Sequence, residues 1–124
     1  MNLSYTLPNA KELILNGTKI HTARYSHRWK AGMAIHHCTG LRTKNYECFL
    51  VNKCTGTQII DIVIDPTGAF PYVQDIEIDG RKLSREEIDR FRINDGFENE
   101  RDLCTFFKKK VLPHMLIHWT DFRY

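Results

Sequence analysis

The stretch Gly17–Gly40, GTKIHTARYSHRWKAGMAIHHCTG, decides how the rest of the chain is read. It alternates, turns and alternates again, as two adjacent strands do. In the first strand, Thr18–Arg24, the residues Thr18, Ile20, Thr22 and Arg24 share one face. Lys19, His21 and Ala23 share the other. Gly32 marks the turn into the second strand, Met33–Cys38. Core strands rarely carry so many basic and polar groups. This stretch is therefore the candidate site, and the remaining chain is the body that holds it.

Upstream, Asn9 stands three residues before Glu12, a capping-box spacing, with Ala10, Leu13 and Ile14 at helical intervals and Gly17 as a stop. A short helix over 9–16 follows from this. Downstream, Tyr46–Cys54, Thr57–Asp65 and Tyr72–Ile78 read as strands, separated by Thr55-Gly56 and by the breaker Pro66-Thr67-Gly68. Asp79-Gly80 is a tight turn. Ser84 and Glu87 form a second capping box, with Leu83 and Ile88 placed as its hydrophobic staple, which predicts a helix over 84–93. Asn94-Asp95-Gly96 ends it. A third helix starts near Asn99, with Leu103, Phe106, Phe107 and Val111 on its apolar face, Lys108, Lys109 and Lys110 in its last turn, and Pro113 as its stop. The final strand is His114–Trp119. Six short strands with three inserted helices predict an α+β fold built as a small barrel.

The chain has 124 residues, 42% of them hydrophobic and 27% charged, which suits one domain over 1–124 with a single core and argues against disorder. The net charge of +3 is mildly basic, so the placement of charge matters more than its sum. No run is long enough to span a membrane, and the start MNLSYTLPNAKEL lacks the pattern of a signal peptide. A cytoplasmic protein with no membrane partner is expected. Its four cysteines, Cys38, Cys48, Cys54 and Cys104, then read as reduced thiols and structural fillers. No motif calls for a cofactor, and nothing identifies a protein partner.

Gly17-x-Lys19-x-x-Thr22-x-Arg24, the Gly32 turn, Asn94-Asp95-Gly96-Phe97 before an acidic-aromatic helix, and the closing Ile117-His118-Trp119 together resemble an ASCH domain. Among ASCH proteins the chain most resembles the small single-domain ones of bacteria and their phages. The resemblance spans nearly the whole chain. It implies a PUA-like β-barrel with a cleft beside its mouth. It also implies binding of RNA or a modified nucleoside or nucleotide. Some small members hydrolyse the acetyl amide of N4-acetylcytidine, and others have been assigned ribonuclease activity. On the amidohydrolase pattern, the catalytic lysine falls on Lys19, the catalytic threonine on Thr22 and the accompanying arginine on Arg24. The third catalytic residue of that pattern is a glutamate; here Asp95 is the nearest match and Glu98 the second.

The chemistry can be stated from the residues alone. A threonine hydroxyl needs a base to become a nucleophile, and a lysine serves once its pKa falls from about 10.4 towards 7–8. Lys19 and Thr22 lie three positions apart, however, so a regular strand separates them and a bend must bring them together. The alternative leaves Lys19 and His21 in solvent with Thr22 inside. A second constellation, Arg24, Arg28, Trp29, Lys30, Arg42 and Lys44, with Lys53, Tyr25 and Tyr46 nearby, offers cations for phosphates and aromatic faces for bases. Its alternative is a solvated loop anchored by Trp29. His36 and His37 point to opposite faces of one strand, so no metal site is expected there. Three functions remain open: an RNA or nucleotide binder, an amidohydrolase of acylated nucleosides, and a phage-derived interaction module.

Overall fold

The protein is described by a computed structural model covering residues 1–65, 72–107 and 111–124, with the backbone alone for 111–114. Its elements in order are β1 (Asn2–Tyr5), α1 (Ala10–Leu15), β2 (His21–Arg24), β3 (Ala34–Thr39), β4 (Glu47–Lys53) and β5 (Gly56–Asp65). They continue with β6 (Tyr72–Ile78), β7 (Arg81–Lys82), α2 (Arg85–Asn94), α3 (Glu100–Phe106) and β8 (Val111–His118).

The expected barrel is corrected. The fold is mixed α+β, but the strands form two open sheets, one of three strands ordered β1-β3-β4 and one of five ordered β2-β8-β5-β6-β7. Among the described residues no ladder joins β2 to β7, so the larger sheet keeps two edges. Strand β1 was not foreseen. It runs parallel to β3, with Leu3 beside His37 and Tyr5 beside Thr39. Four residues are too few for a legible alternation, although Leu3 and Tyr5 are both buried.

The two faces of β8 feed separate cores, because successive strand residues point to opposite sides. Leu116 packs with Ala23, Ile60, Ile62, Phe91 and Leu103, between the larger sheet and helices α2 and α3. Ile117 packs with Leu3, Tyr5, Ile35 and Trp29, between that sheet, the smaller sheet and α1. Pro113 does not stop α3 but lies inside β8. There β8 pairs only with β5, and the ladder shifts register between Ile60 and Ile62. An irregular, single-sided position tolerates a residue without an N–H. The lysines 108–110 and the Pro66-Thr67-Gly68 breaker lie outside the described residues.

Helix α2 has its full capping box: the Glu87 N–H donates to Ser84 Oγ (3.2 Å) and the Ser84 N–H donates to Glu87 Oε1 (2.9 Å). Helix α1 lacks the box expected of Asn9, whose side chain caps nothing. At the far end of α2, Asp95 is the C-cap and Gly96 takes φ +91°, a conformation that favours glycine. A side chain there would also meet Lys19, whose Cδ lies 3.1 Å from the position a Cβ would occupy.

Candidate functional site

Lys19 and Ile20 precede β2 rather than belonging to it, and this removes the geometric difficulty of their spacing. The Lys19 N–H donates to Leu13 O (2.9 Å) and the Ile20 N–H to Asn94 O (2.9 Å), so this segment is stitched between α1 and the end of α2. From there the Lys19 side chain runs inward. Lys19 is 1% exposed, Thr22 5% and Asp95 2%. With Tyr5, Thr6, Leu7 and Arg24, these three line one small enclosed space of about 20 Å³, enough for a single water-sized group. The reading that placed Lys19 and His21 in solvent is overturned, since both are buried.

The Lys19 ammonium donates to the main-chain oxygens of His21 (2.9 Å) and Asp95 (2.6 Å) and lies 3.5 Å from Asp95 Oδ1. Burial pushes its pKa down, while the Asp95 carboxylate holds it up. The carbonyl end of α2 also favours a cation there. Arg24, half-buried, donates from Nη2 to Ser4 O (2.7 Å), and its buried Nε has no hydrogen-bond partner. Both cations sit over the Tyr5 ring, Arg24 at 5.3 Å and Lys19 at 5.7 Å from its centre. The site therefore gathers two cationic groups against one carboxylate.

Two hydrogen-bonded chains brace this pocket. In the first, His21 Nδ1–H donates to Asp95 Oδ1 (3.0 Å), and its Nε2 accepts from the Tyr124 hydroxyl (2.6 Å), which in turn accepts from Asn94 Nδ2 (3.1 Å). Burial lowers the His21 pKa and keeps the ring neutral, which fits this tautomer. In the second, Tyr5 donates to His37 Nδ1 (2.7 Å), and His37 Nε2–H donates to Asn52 Oδ1 (2.7 Å). Tyr5, Tyr124 and Asn52 carried no sequence signal, because each reaches the site from an element distant in the chain. His37 was separated correctly from His36, which is exposed.

The small space shares Leu7, Phe97 and Phe106 with an open cleft of about 670 Å³. That cleft is also lined by Pro8, Asn9, Glu98, Asp102 and Thr105. Its charged side chains are acidic, and the second-choice carboxylate, Glu98, sits here rather than beside Lys19.

The basic constellation is divided. Arg28 and Lys30 are exposed on the turn before β3, near Lys53, which pairs with Ala34. Arg42 and Lys44 are exposed beyond Thr39, at the opposite end of that strand. A strand of that length separates the two groups by roughly 17 Å. Trp29 is not a stacking platform: it is 5% exposed and belongs to the second core. Among the described residues, no three His, Cys, Asp or Glu side chains gather as metal ligands, and no helix is long and apolar enough to cross a membrane.

Comparison of the chain with family models, curated proteins and solved structures found no match in any of the three.

Proposed function

We propose that this chain takes a nucleoside-sized ligand in the open cleft and hydrolyses an acyl amide on its base, with Lys19, Thr22 and Asp95 as the reacting set. The observation that carries the reading is the convergence of Lys19, Thr22, Arg24 and Asp95 on one buried space that shares Leu7, Phe97 and Phe106 with the cleft. The likeness of Gly17-x-Lys19-x-x-Thr22-x-Arg24 to the ASCH amidohydrolases supports it. So do the aromatic side chains Phe97 and Phe106 in the cleft, which suit a planar base. The divided basic residues and the acids Glu98 and Asp102 favour a nucleoside over a long polyanion.

In this account Thr22 Oγ attacks the acyl carbon and its proton passes to Lys19 in the neutral amine form, which burial favours and ligand entry must draw from the resting ammonium. The C–N bond breaks, and the leaving amine receives that proton from Lys19. Water, deprotonated by Lys19 in turn, cleaves the threonine ester, and Lys19 returns that proton to Thr22 Oγ as the acid leaves. The unpartnered Arg24 Nε–H donates to the oxyanion formed in each step. Asp95 fixes Lys19 and His21.

A second reading, binding without turnover, is favoured by one observation: two main-chain oxygens already engage the Lys19 ammonium. N4-acetylcytidine separates the two readings in a single NMR experiment. Acetate and cytidine appearing with time support hydrolysis. Shifted resonances without acetate support binding alone. Neither change, up to millimolar ligand, removes both.

A further inference from the structure

Cys38 on β3 and Cys48 on β4 are direct partners across an antiparallel ladder. The ladder shifts register between His37 and Cys38; regular pairs on either side of such a shift have Cα atoms roughly 4.5–5.5 Å apart, inside the range of about 4.4–6.8 Å that a disulfide bridges. Cys38 Sγ lies 3.4 Å from the Tyr46 hydroxyl, and Tyr46 stands two residues before Cys48, just ahead of β4. Their exposures differ: Cys38 is buried and Cys48 is exposed. Cys54 and Cys104 are both buried, and Cys54 donates to Gly56 O at 3.4 Å instead.

We propose that Cys38 and Cys48 form a dithiol–disulfide site, oxidised by a small disulfide such as oxidised glutathione, with Cys48 as the attacked-from surface thiol and Cys38 as the resolving one. The Cys48 thiolate attacks one glutathione sulfur, forming a mixed disulfide and expelling one glutathione thiolate. The Cys38 thiolate then attacks the Cys48 sulfur and expels the second. The two protein protons end on the two glutathione thiolates, so two electrons leave the protein for the oxidant. The bridge closes the exposed loop that holds Arg42 and Lys44. Loss of hydration, and then the Cys38 sulfur, hold the Cys48 thiol above its usual pKa. Both thiols are free, and their reaction depends on the closeness of the two positions in the ladder.

The test treats the folded protein with oxidised glutathione, counts thiols after denaturation, and maps unreduced peptides by mass spectrometry. The wild type should lose two of its four thiols, with one link joining the peptides of Cys38 and Cys48. The melting temperature should rise by about 5 °C. Cys48→Ser should form no such link, and Cys38→Ser should stop at a glutathione adduct on Cys48. Cys54→Ser and Cys104→Ser should link as the wild type does. Should Cys38→Ser fail to fold, the exposed Cys48→Ser and the wild-type map decide the matter. Four thiols left in the wild type, a stable glutathione adduct at Cys48, or a link through Cys54 or Cys104 would each overturn the proposal.

Discussion

The Nζ of Lys19 lies 2.6 Å from the main-chain oxygen of Asp95 and 3.5 Å from that residue's carboxylate. One residue thus meets a buried lysine with both its backbone and its side chain. Asp95→Asn removes the charge and keeps the shape, leaving Lys19 facing Arg24 without a counter-ion. Breaking one side of a buried pair costs about 3–5 kcal/mol. Urea denaturation should show a loss of about that size. An Asp95→Asn protein as stable as the wild type would mean that Lys19 is neutral in the resting fold. Asp95→Glu, which the likeness to the amidohydrolases suggests as a gain, adds a methylene to a residue 2% exposed. The expected result is a loss of about 1–3 kcal/mol from overpacking, with no gain in activity.

Ser84 controls the other end of the helix that delivers Asp95. Its side chain accepts from the Glu87 N–H. Ser84→Ala should cost about 1 kcal/mol in urea denaturation. Because Ser84 is exposed and outside the cleft, the variant should leave ligand binding unchanged in the folded protein. A cost near zero would mean that tertiary packing alone sets the start of α2.

Acid should destabilise the fold at a defined point. His21 and His118 are both 0% exposed, and burial lowers both pKa values, that of His118 to about 3. A histidine whose folded pKa is depressed contributes its full stability above the unfolded value of about 6.5. As pH falls below that value the unfolded state binds the extra proton, so stability drops. Between pH 7.5 and 5.5 the unfolding free energy should fall by about 1 kcal/mol from His118, whose folded value lies below this window, and His21 adds to the fall in the same direction. His118→Gln should remove the His118 share of the drop. A flat profile over this range would contradict neutral burial of these rings.

The elements with local grammar were legible in the sequence. Ser84-x-x-Glu87 announced α2, Asp79-Gly80 announced the turn between β6 and β7, and the bounds read for Tyr72–Ile78 are those of β6, although a register shift within it buries both Val73 and Ile76. Closure was not legible, because whether strands wrap into a barrel depends on which edges meet, and β1 and β7 were too short to be seen. Within the site, Lys19, Thr22, Arg24 and Asp95 were named from resemblance, against the spacing of Lys19 and Thr22 on a regular strand, and the fold brings them to one space. Trp29 was misplaced because its neighbours Arg28 and Lys30 are exposed while its own ring fills the core. Tyr5 and Tyr124 were invisible, since each joins the site through contacts far along the chain.

The central claim is that Thr22 is a nucleophile sharing a pocket with Lys19. Thr22→Val keeps the shape of the side chain and removes its hydroxyl. The most direct measurement is the rate of acetate release from N4-acetylcytidine by the wild type and by Thr22→Val, each first shown to be folded by circular dichroism. The account predicts steady release by the wild type and a fall on the order of 100-fold or more in the variant. Release at the same rate from both proteins, or none from either, would contradict it.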